Sequence, residues 1–115
     1  MNQNELVFKK SRFIAYYFDI DDVEEAFEII ADIKKDHKKA RHVCFAYKIG
    51  DSIKMNDDGE PKGTAGSPIL TVITKRKLNN ILIVVVRYFG GIKLGAGPLT
   101  RAYLKSASTI IKKSI

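Results

Sequence analysis

Six consecutive apolar residues, Ile81 to Val86, are all leucine or β-branched and leave no polar face to meet solvent. A strand places successive side chains on opposite faces of its sheet, so this run predicts a central strand that is covered on both faces. The run is far shorter than the roughly 20 apolar residues of a membrane-spanning helix. Since the polar start Met1 to Glu5 lacks the apolar region of a signal peptide, we expect a cytoplasmic protein without membrane contact.

Alternating and helical patterns predict the elements that precede this strand. Aromatic and β-branched residues over 6–18 predict a strand or hairpin, and the alternation over 42–49 predicts a second strand. Between them, Asp21 and Glu24 have the spacing of a capping box, and apolar residues then recur at helical intervals up to Ile33. We therefore expect a helix between the two strands.

Turn-forming residues predict a long polar loop over 51–66. Ser67 and Pro68 then have the order of an N-cap and a first helical position, which predicts a short helix through about Lys75. Pro98 begins a final helix in the same way, and helical spacing predicts a core face of Leu99, Ala102, Tyr103, Ser106 and Ile110. The order of strands and helices along the chain predicts one two-layer α+β unit.

The composition is typical of a single globular domain over residues 1–115. Hydrophobic residues make up 45% and charged residues 29%, which excludes a disordered or fibrous chain. A single cysteine, Cys44, excludes an internal disulfide, and no clustered Cys/His spacing indicates structural zinc. An excess of 20 Lys+Arg over 13 Asp+Glu gives a formal charge of +7, which favours a polyanionic partner or serves solubility.

A glycine-rich loop leads from the apolar strand into the final helix. Gly90, Gly91, Gly95 and Gly97 expose backbone N–H groups, and the helix adds a partial positive charge, so the segment has the chemistry of an anion seat. Flanking residues suit a phosphate, a carboxylate or a stacked base: Arg87, Tyr88, Phe89, Lys93 and Arg101. Complete nucleotide-binding motifs are absent from the sequence, and tight turning is the alternative role of the glycines.

The long loop carries an acidic cluster, Asp57, Asp58 and Glu60. Neighbouring carboxylates can ligate a hard cation such as Mg²⁺, but their spacing matches no EF-hand, and two aspartates before a glycine are also ordinary turn chemistry. We therefore predict no metal and no cofactor here, and we assign the cluster to structure or to contact with a partner.

His42 and Cys44 lie two residues apart on a predicted strand, so their side chains project from the same face about 7 Å apart. A Cys/His nucleophile pair needs a third group to orient it, and no neighbouring residue supplies one. A cysteine between Val43 and Phe45 is also typical of a small buried residue. A hydrolase or peptidase that uses this pair with the acidic loop is the alternative to a binding function.

Basic residues form three clusters, at 34–35, 38–41 and 75–77. Together they would form a basic face that contacts phosphates. Separately they would be solvated helix ends, where cations interact favourably with the helix dipole. The sequence leaves both interpretations open.

Four motifs span nearly the whole chain: Ser11-Arg12-Phe13, His42-x-Cys44-x-Ala46-Tyr47, Asp57-Asp58-Gly59-Glu60-Pro61 with Gly63-Thr64-Ala65-Gly66 and Pro68-Ile69-Leu70, and Arg87-Tyr88-Phe89-Gly90-Gly91 through Lys93 to Gly97. In this order they resemble the N-terminal domain of the YigZ/IMPACT family. The loop departs from the family at Pro98, where a glycine is expected, and proline removes one donor from the anion seat.

The resemblance implies a fold like the second domain of ribosomal protein S-five and domain IV of elongation factor G. In this fold the helices pack on one face of the sheet, and a βαβ crossover is left-handed. The resemblance implies no catalytic residues. It implies work in translation control, where IMPACT-like proteins compete for the general-control activator protein and restrain the starvation-responsive kinase, while YigZ-like members are linked to nucleic acid. The second, ferredoxin-like domain and the RWD domain of relatives are not expected in 1–115.

We therefore predict a binding or regulatory module in translation or the starvation response. Its predicted partner is RNA or a translation-associated protein, and a separately encoded second domain is a further candidate. The predicted binding residues lie on or beside the two loops: Arg87, Tyr88, Phe89, Gly90, Gly91, Lys93, Gly95, Gly97, Arg101, Asp57, Asp58, Glu60 and Thr64. A catalytic site is not predicted, and His42 and Cys44 remain the alternative catalytic residues.

Overall fold

The computed structural model describes residues 2–114, which form five strands and three helices. In chain order these are β1 (Gln3–Phe8), β2 (Ser11–Asp19), α1 (Val23–Asp36), β3 (His42–Ile49), β4 (Ser52–Asn56), α2 (Gly66–Lys75), β5 (Ile81–Tyr88) and α3 (Ala96–Ser114). The strands form one sheet in the order β1, β2, β5, β3, β4, and every neighbouring pair is antiparallel. The predicted α+β class is confirmed, and the apolar run lies in β5 at the centre of the sheet.

Both faces of β5 are covered because its side chains alternate between two helix layers. Its odd-numbered residues from Ile81 to Val85 pack with α2 and α3, and its even-numbered residues from Leu82 to Val86 pack on the opposite face. The helices therefore differ from the predicted single layer, because α1 covers that second face. A strand without a polar face requires apolar cover on both sides, and α1 provides it with Ala26, Ile30 and Ile33.

The connection from β2 through α1 to β3 crosses over the central strand β5, which lies between them in the sheet. β2 and β3 are each antiparallel to β5, which lies between them, so they run parallel to each other. The left hand predicted for this crossover stays a prediction. The capping box of α1 lies one residue later than predicted: the Glu25 backbone N–H donates to Asp22 Oδ1 at 2.8 Å, and the Asp21 N–H donates to Glu25 Oε1 at 2.9 Å.

The predicted loop over 51–66 contains a strand and is therefore shorter than expected. Ser52–Asn56 forms β4, an edge strand that pairs with β3 and whose residues are all exposed. β4 was not predicted because an exposed edge strand carries polar residues that interrupt the usual strand pattern. Only the alternation of Ile53 and Met55 indicates a strand here. The remaining loop runs over 57–65.

Two helices begin earlier than their prolines indicate. α2 begins at Gly66 rather than Ser67, and α3 begins at Ala96, two residues before Pro98. Proline is tolerated throughout a first helical turn because the N–H groups there have no intrahelical acceptor. Within residues 2–114, no helix combines the length and the apolar character needed to cross a membrane.

Candidate functional site

A buried carboxylate, Glu60, organises the end of the sheet where β5 ends and β3 begins. Arg87 Nη1 donates to both Glu60 oxygens, at 3.0 and 2.9 Å, and the Tyr103 hydroxyl donates to Glu60 Oε2 at 2.5 Å. The side chains of Arg87 and Glu60 are only 7% and 3% exposed. Charge-assisted hydrogen bonds of this kind are the strong ones in proteins, so they hold the 57–65 loop against the sheet.

The strand register explains why Arg87 meets these partners. Arg87 lies opposite Phe13 on β2 and opposite His42 on β3, so the three side chains share one face of the sheet. The Arg87 guanidinium lies 5.8 Å from the centre of the Phe13 ring and donates from Nη2 to Ser11 Oγ at 3.4 Å. Its Nε has no hydrogen-bond partner within residues 2–114. Arg87 is thus built into the core, and direct ligand contact by it stays a prediction.

His42 bridges the loop and β3. Its Nδ1 lies 2.7 Å from the Asp58 carbonyl oxygen, which only accepts, so Nδ1 carries a proton and donates. Its Nε2 lies 3.3 Å from Glu60 Oε1. In a neutral ring with its proton on Nδ1, Nε2 has only a lone pair, so this second contact is a hydrogen bond only when the ring carries both protons. The Asp58 carbonyl oxygen therefore orients the His42 ring.

Asp57 shapes the loop from within. Its Oδ1 accepts from the backbone N–H groups of Ala65 and Gly66 at 3.1 and 2.8 Å, and its Oδ2 accepts from Gly63 at 2.9 Å. Although burial raises the pKa of Asp57, these hydrogen bonds to the charged form hold its pKa below the usual value. Asp57 also caps α2 in place of Ser67, the predicted N-cap, which explains the earlier start of this helix.

Asp58 and Thr64 of the same loop also have partners within the chain. Asp58 Oδ2 accepts from the Val43 backbone N–H at 2.7 Å, and Thr64 Oγ1 donates to the Pro61 carbonyl at 2.5 Å. Over residues 2–114, no group of three or more His, Cys, Asp and Glu residues is arranged to hold a metal ion. Since the Glu60 carboxylate is held by Arg87, the acidic loop has a structural role, and contact of these residues with a partner stays a prediction.

The buried thiol of Cys44 belongs to the same hydrogen-bond network as Asp57, Glu60 and Tyr103. It is fully buried, and its Sγ lies 3.2 Å from the Asp57 carbonyl oxygen and 3.4 Å from the Tyr103 hydroxyl. Burial is the main cause that raises the pKa of the Cys44 thiol, and the carboxylate of Glu60 raises it further. Cys44 makes no hydrogen bond to His42 in this network. The alternative catalytic pair thus has neither a ready thiolate nor a direct link between its members.

We expect Cys44 to react with the thiol reagent dithionitrobenzoate more slowly in the folded protein at pH 8 than in denaturing guanidinium chloride. The expected difference in rate is on the order of a hundredfold, because the thiolate is the reactive species and burial disfavours it. The release of thionitrobenzoate measures both rates. Equal rates would mean that the thiol is accessible and reactive, which would restore a nucleophile to this site.

Exposed cations surround an open cavity of about 370 Å³ above the buried network. Arg41 and Lys93 line it, and the Arg41 guanidinium lies 4.6 Å from the centre of the Phe89 ring, within cation–π range. Leu94 and Leu99 form an apolar wall. This combination suits an anionic group attached to a flat or apolar body.

The glycines of the predicted anion seat have different roles. A Cβ at Gly90 would lie 2.0 Å from the Lys10 backbone oxygen, so this glycine permits close packing of the loop on the β1–β2 turn. Gly91 has a φ of +92°, a left-handed conformation that favours glycine. Gly95 and Gly97 are exposed at the start of α3. The role of these two in binding an anion stays a prediction.

Only four of the thirteen predicted binding residues line the cavity, and Tyr88 and Arg101 are among those that do not. The Tyr88 hydroxyl lies 2.5 Å from His37 Nδ1, on the face that α1 covers. Arg101 lines a groove beside β1, and its Nη1 would lie 3.4 Å from a Cβ at Gly97 of the loop. Phe89, Lys93, Arg87 and Glu60 are brought together with His42 around the same cavity. The structure therefore gathers only part of the predicted set.

Two residues that complete the site, Tyr103 and Arg41, were not among the predicted binding residues. Tyr103 was expected only on the core face of the last helix, yet a buried tyrosine hydroxyl needs a partner, and that requirement was the available signal. Arg41 appeared only within a basic cluster. Its position over Phe89 arises from the pairing of β3 with β5, which no local pattern indicates.

Comparisons with known proteins show the family of this chain. The sequence profile described as the Impact N-terminal domain matches residues 9–111. The chain belongs to the Impact N-terminal domain family. Among curated relatives, the IMPACT family member YvyE of Bacillus subtilis (strain 168) is 54% identical over 109 residues, and the IMPACT family member YigZ of Escherichia coli (strain K12) is 43% identical over 100 residues.

The chain spans about half the length of these Impact-family relatives. The matches cover 92% of this chain and 50% of YvyE, and 83% of this chain and 49% of YigZ. A crystal structure of a hypothetical protein shares the fold with a TM-score of 0.93 and 39% identity, over 96% of this chain and 56% of that one. The two-domain translational regulator Yih1 has a TM-score of 0.61 and 26% identity, over 95% and 45% respectively.

Proposed function

We propose that this Impact N-terminal domain is a cytoplasmic binding module for translation control that contacts RNA through one basic end of its sheet. The biological context comes from Yih1, a two-domain translational regulator with the same fold. The chain spans less than half of Yih1, so the proposal concerns this domain and the surface that it carries.

The observation that carries the proposal is a group of exposed cations at the end of the sheet where β5 ends. We call this surface the basic end and define it by Lys38, Lys39, Arg41 and Lys93 with the aromatic residue Phe89. Arg41, Lys93 and Phe89 line one cavity, and the two lysines line another at the C-terminal end of α1, together with Lys35, Asp36 and Tyr88. None of the four cations forms an ion pair with another residue of 2–114, so their charge is available to phosphates.

The carboxylate of Glu60 does not cancel the charge of Arg41 and Lys93. Glu60 is held by Arg87 beneath the cavity, so this buried pair is neutral as a unit. Single-stranded RNA is bound by cations along its backbone and by planar side chains on which its bases stack. The Arg41 guanidinium over Phe89 provides such a plane, with Lys93 on the wall of the same cavity.

Fluorescence anisotropy with a short single-stranded RNA and a structured RNA tests the proposal. For four phosphate contacts on a single strand, we expect affinity to fall roughly 50-fold between 50 and 200 mM salt. The variant Lys39→Gln/Arg41→Gln/Lys93→Gln should bind at least about tenfold more weakly at 50 mM and should lower the salt slope by about 2. Arg87 is left intact because its removal would disturb the fold.

A matched control removes the same charge elsewhere. Lys75, Lys112 and Lys113 are exposed near the C-terminal ends of α2 and α3, and their triple substitution by glutamine should leave RNA affinity within about twofold. Equal losses in both variants would show that net charge alone attracts RNA. If the unmodified protein does not bind at 50 mM salt, RNA is excluded, and a translation-associated protein becomes the ligand to seek by pull-down.

A further inference from the structure

A second cavity lies outside the basic end, between edge strand β1 and helix α3. Its volume is about 170 Å³. Leu6, Phe8, Phe13 and Ala102 are among the side chains that line it. A dry cavity of about 150 Å³ lined by apolar side chains is known to accept a benzene ring, so this groove has room for one phenylalanine or leucine side chain.

The charges at this groove have a single sign. Arg101 and Lys105 of α3 line it, both are exposed, and no acidic residue lines it. Neither cation forms an ion pair with another residue of the described range 2–114. The nearest acid on β1, Glu5, binds Arg12 on the opposite face of the sheet. An occupant with carboxylates next to its apolar anchor would therefore complement the groove.

The backbone of β1 offers the third element of a peptide site. β1 pairs only with β2, so its other edge is unpaired. The Tyr17 N–H donates to the Asn2 carbonyl, and the hydrogen-bonded pairs of an antiparallel ladder alternate, so Glu5 and Val7 direct their backbone groups to the free edge. Val7 is also 66% exposed. An extended peptide can add to such an edge through main-chain hydrogen bonds.

We infer that the β1–α3 groove is a docking site for an extended segment of a protein partner, with a phenylalanine or leucine anchor flanked by Asp or Glu. The peptide adds to the free edge of β1, places its anchor in the cavity, and directs its carboxylates to Arg101 and Lys105. The groove and the cavity of the basic end share no lining residue.

Selection from a phage-displayed random peptide library on the immobilised protein tests this inference. The enriched peptides should share one aromatic or leucine position with acidic residues beside it. Synthetic, fluorescein-labelled copies of the most enriched peptides then give affinities by anisotropy. A failure to enrich any peptide, or enrichment of basic or purely polar peptides, overturns the inference.

Two variants locate the binding. Arg101→Glu/Lys105→Glu should weaken the selected peptides about tenfold or more by charge reversal, and Val7→Pro should weaken them about fivefold by removing one edge donor. Lys112→Glu/Lys113→Glu makes the same charge change at the far end of α3 and should have no effect. Circular dichroism of each variant verifies that it is folded.

Three other results would contradict the peptide site. Equal binding by the groove variants and the control places the peptides elsewhere and contradicts the inference. A concentration-dependent dimer in sedimentation equilibrium that Val7→Pro abolishes would assign the edge to a second copy of the chain instead. If the groove variants lose RNA binding and select no peptides, the groove belongs to the RNA surface, and the proposed RNA function survives without the peptide site.

Discussion

Replacing Glu60 with alanine is expected to lower the free energy of unfolding by about 3 to 5 kcal/mol. The substitution leaves the Arg87 guanidinium buried without its counter-charge and removes the acceptor of the Tyr103 hydroxyl. Breaking one side of a buried ion pair is costly because the remaining charge has neither water nor a partner. Since small domains have only about 5 to 15 kcal/mol of stability in total, urea denaturation followed by circular dichroism should resolve the effect clearly.

An exposed ion pair of the same residue types is the matched control. Glu5 binds Arg12 at 2.9 Å, but both side chains are well exposed, so Glu5→Ala should cost less than about 1 kcal/mol. Replacing both buried partners, as Glu60→Leu/Arg87→Met, should recover a large part of the loss because no lone charge remains in the core. A cost at Glu60 no greater than at Glu5 would mean that the network does not hold the loop.

Replacing Gly90 with alanine is expected to destabilise the domain by about 3 kcal/mol, the upper range for overpacking. The added Cβ would lie 2.0 Å from the backbone oxygen of Lys10 and 2.1 Å from its carbonyl carbon. A flexible side chain could move aside, but this neighbour is the backbone of a tight turn in which Lys9 and Lys10 both have positive φ. The loop and the turn would have to separate, and urea denaturation measures the cost.

Gly95 in the same loop provides the comparison. Its added Cβ would meet only Pro98 Cδ at 3.7 Å, an ordinary contact, so Gly95→Ala should change stability by less than about 0.5 kcal/mol. If the two glycines cost the same, the contact of Gly90 with Lys10 is not maintained in solution. A selective loss at Gly90 would assign this glycine to packing, whatever ligand the loop binds.

Together these two variants separate the scaffold of the site from its binding surface. Glu60 and Gly90 position the two loops, whereas Arg41 and Lys93 present charge to solvent. Loss of RNA binding in a variant of the scaffold would reflect unfolding, so the exposed cations are the informative positions for function.

Local patterns were sufficient for most of the secondary structure. The apolar run over 81–86 became the central strand, and the alternation over 42–49 became β3, because each pattern is repeated over enough residues to outweigh local exceptions. The edge strand β4 was missed because its residues are all exposed and it is only five residues long. The position of α1 on the second face depended on how the chain crosses over β5, which is a property of topology.

The site was only partly accessible to sequence reasoning. The motifs placed Glu60, Arg87, Phe89 and Lys93 among the predicted residues, but they gave no reason to join Glu60 to Arg87, which lie 27 residues apart. Arg101 was predicted beside the loop, and its Nη1 would lie 3.4 Å from a Cβ at Gly97, but no local pattern indicated that it also lines the groove beside β1. Helical phase and strand register decide such placements, and both depend on packing between elements.

The amino-acid sequence by itself determined the family, the α+β class, the central strand and the excess of positive charge, because these depend on local periodicity, motifs and composition. Only the tertiary structure decided that Arg87 is a buried partner of Glu60, that Cys44 is shielded, and that Arg41 lies over Phe89. The physical reason is that burial and pairing arise where β3, β5, α3 and the 57–65 loop meet, and contacts between distant segments exist only once the chain is folded.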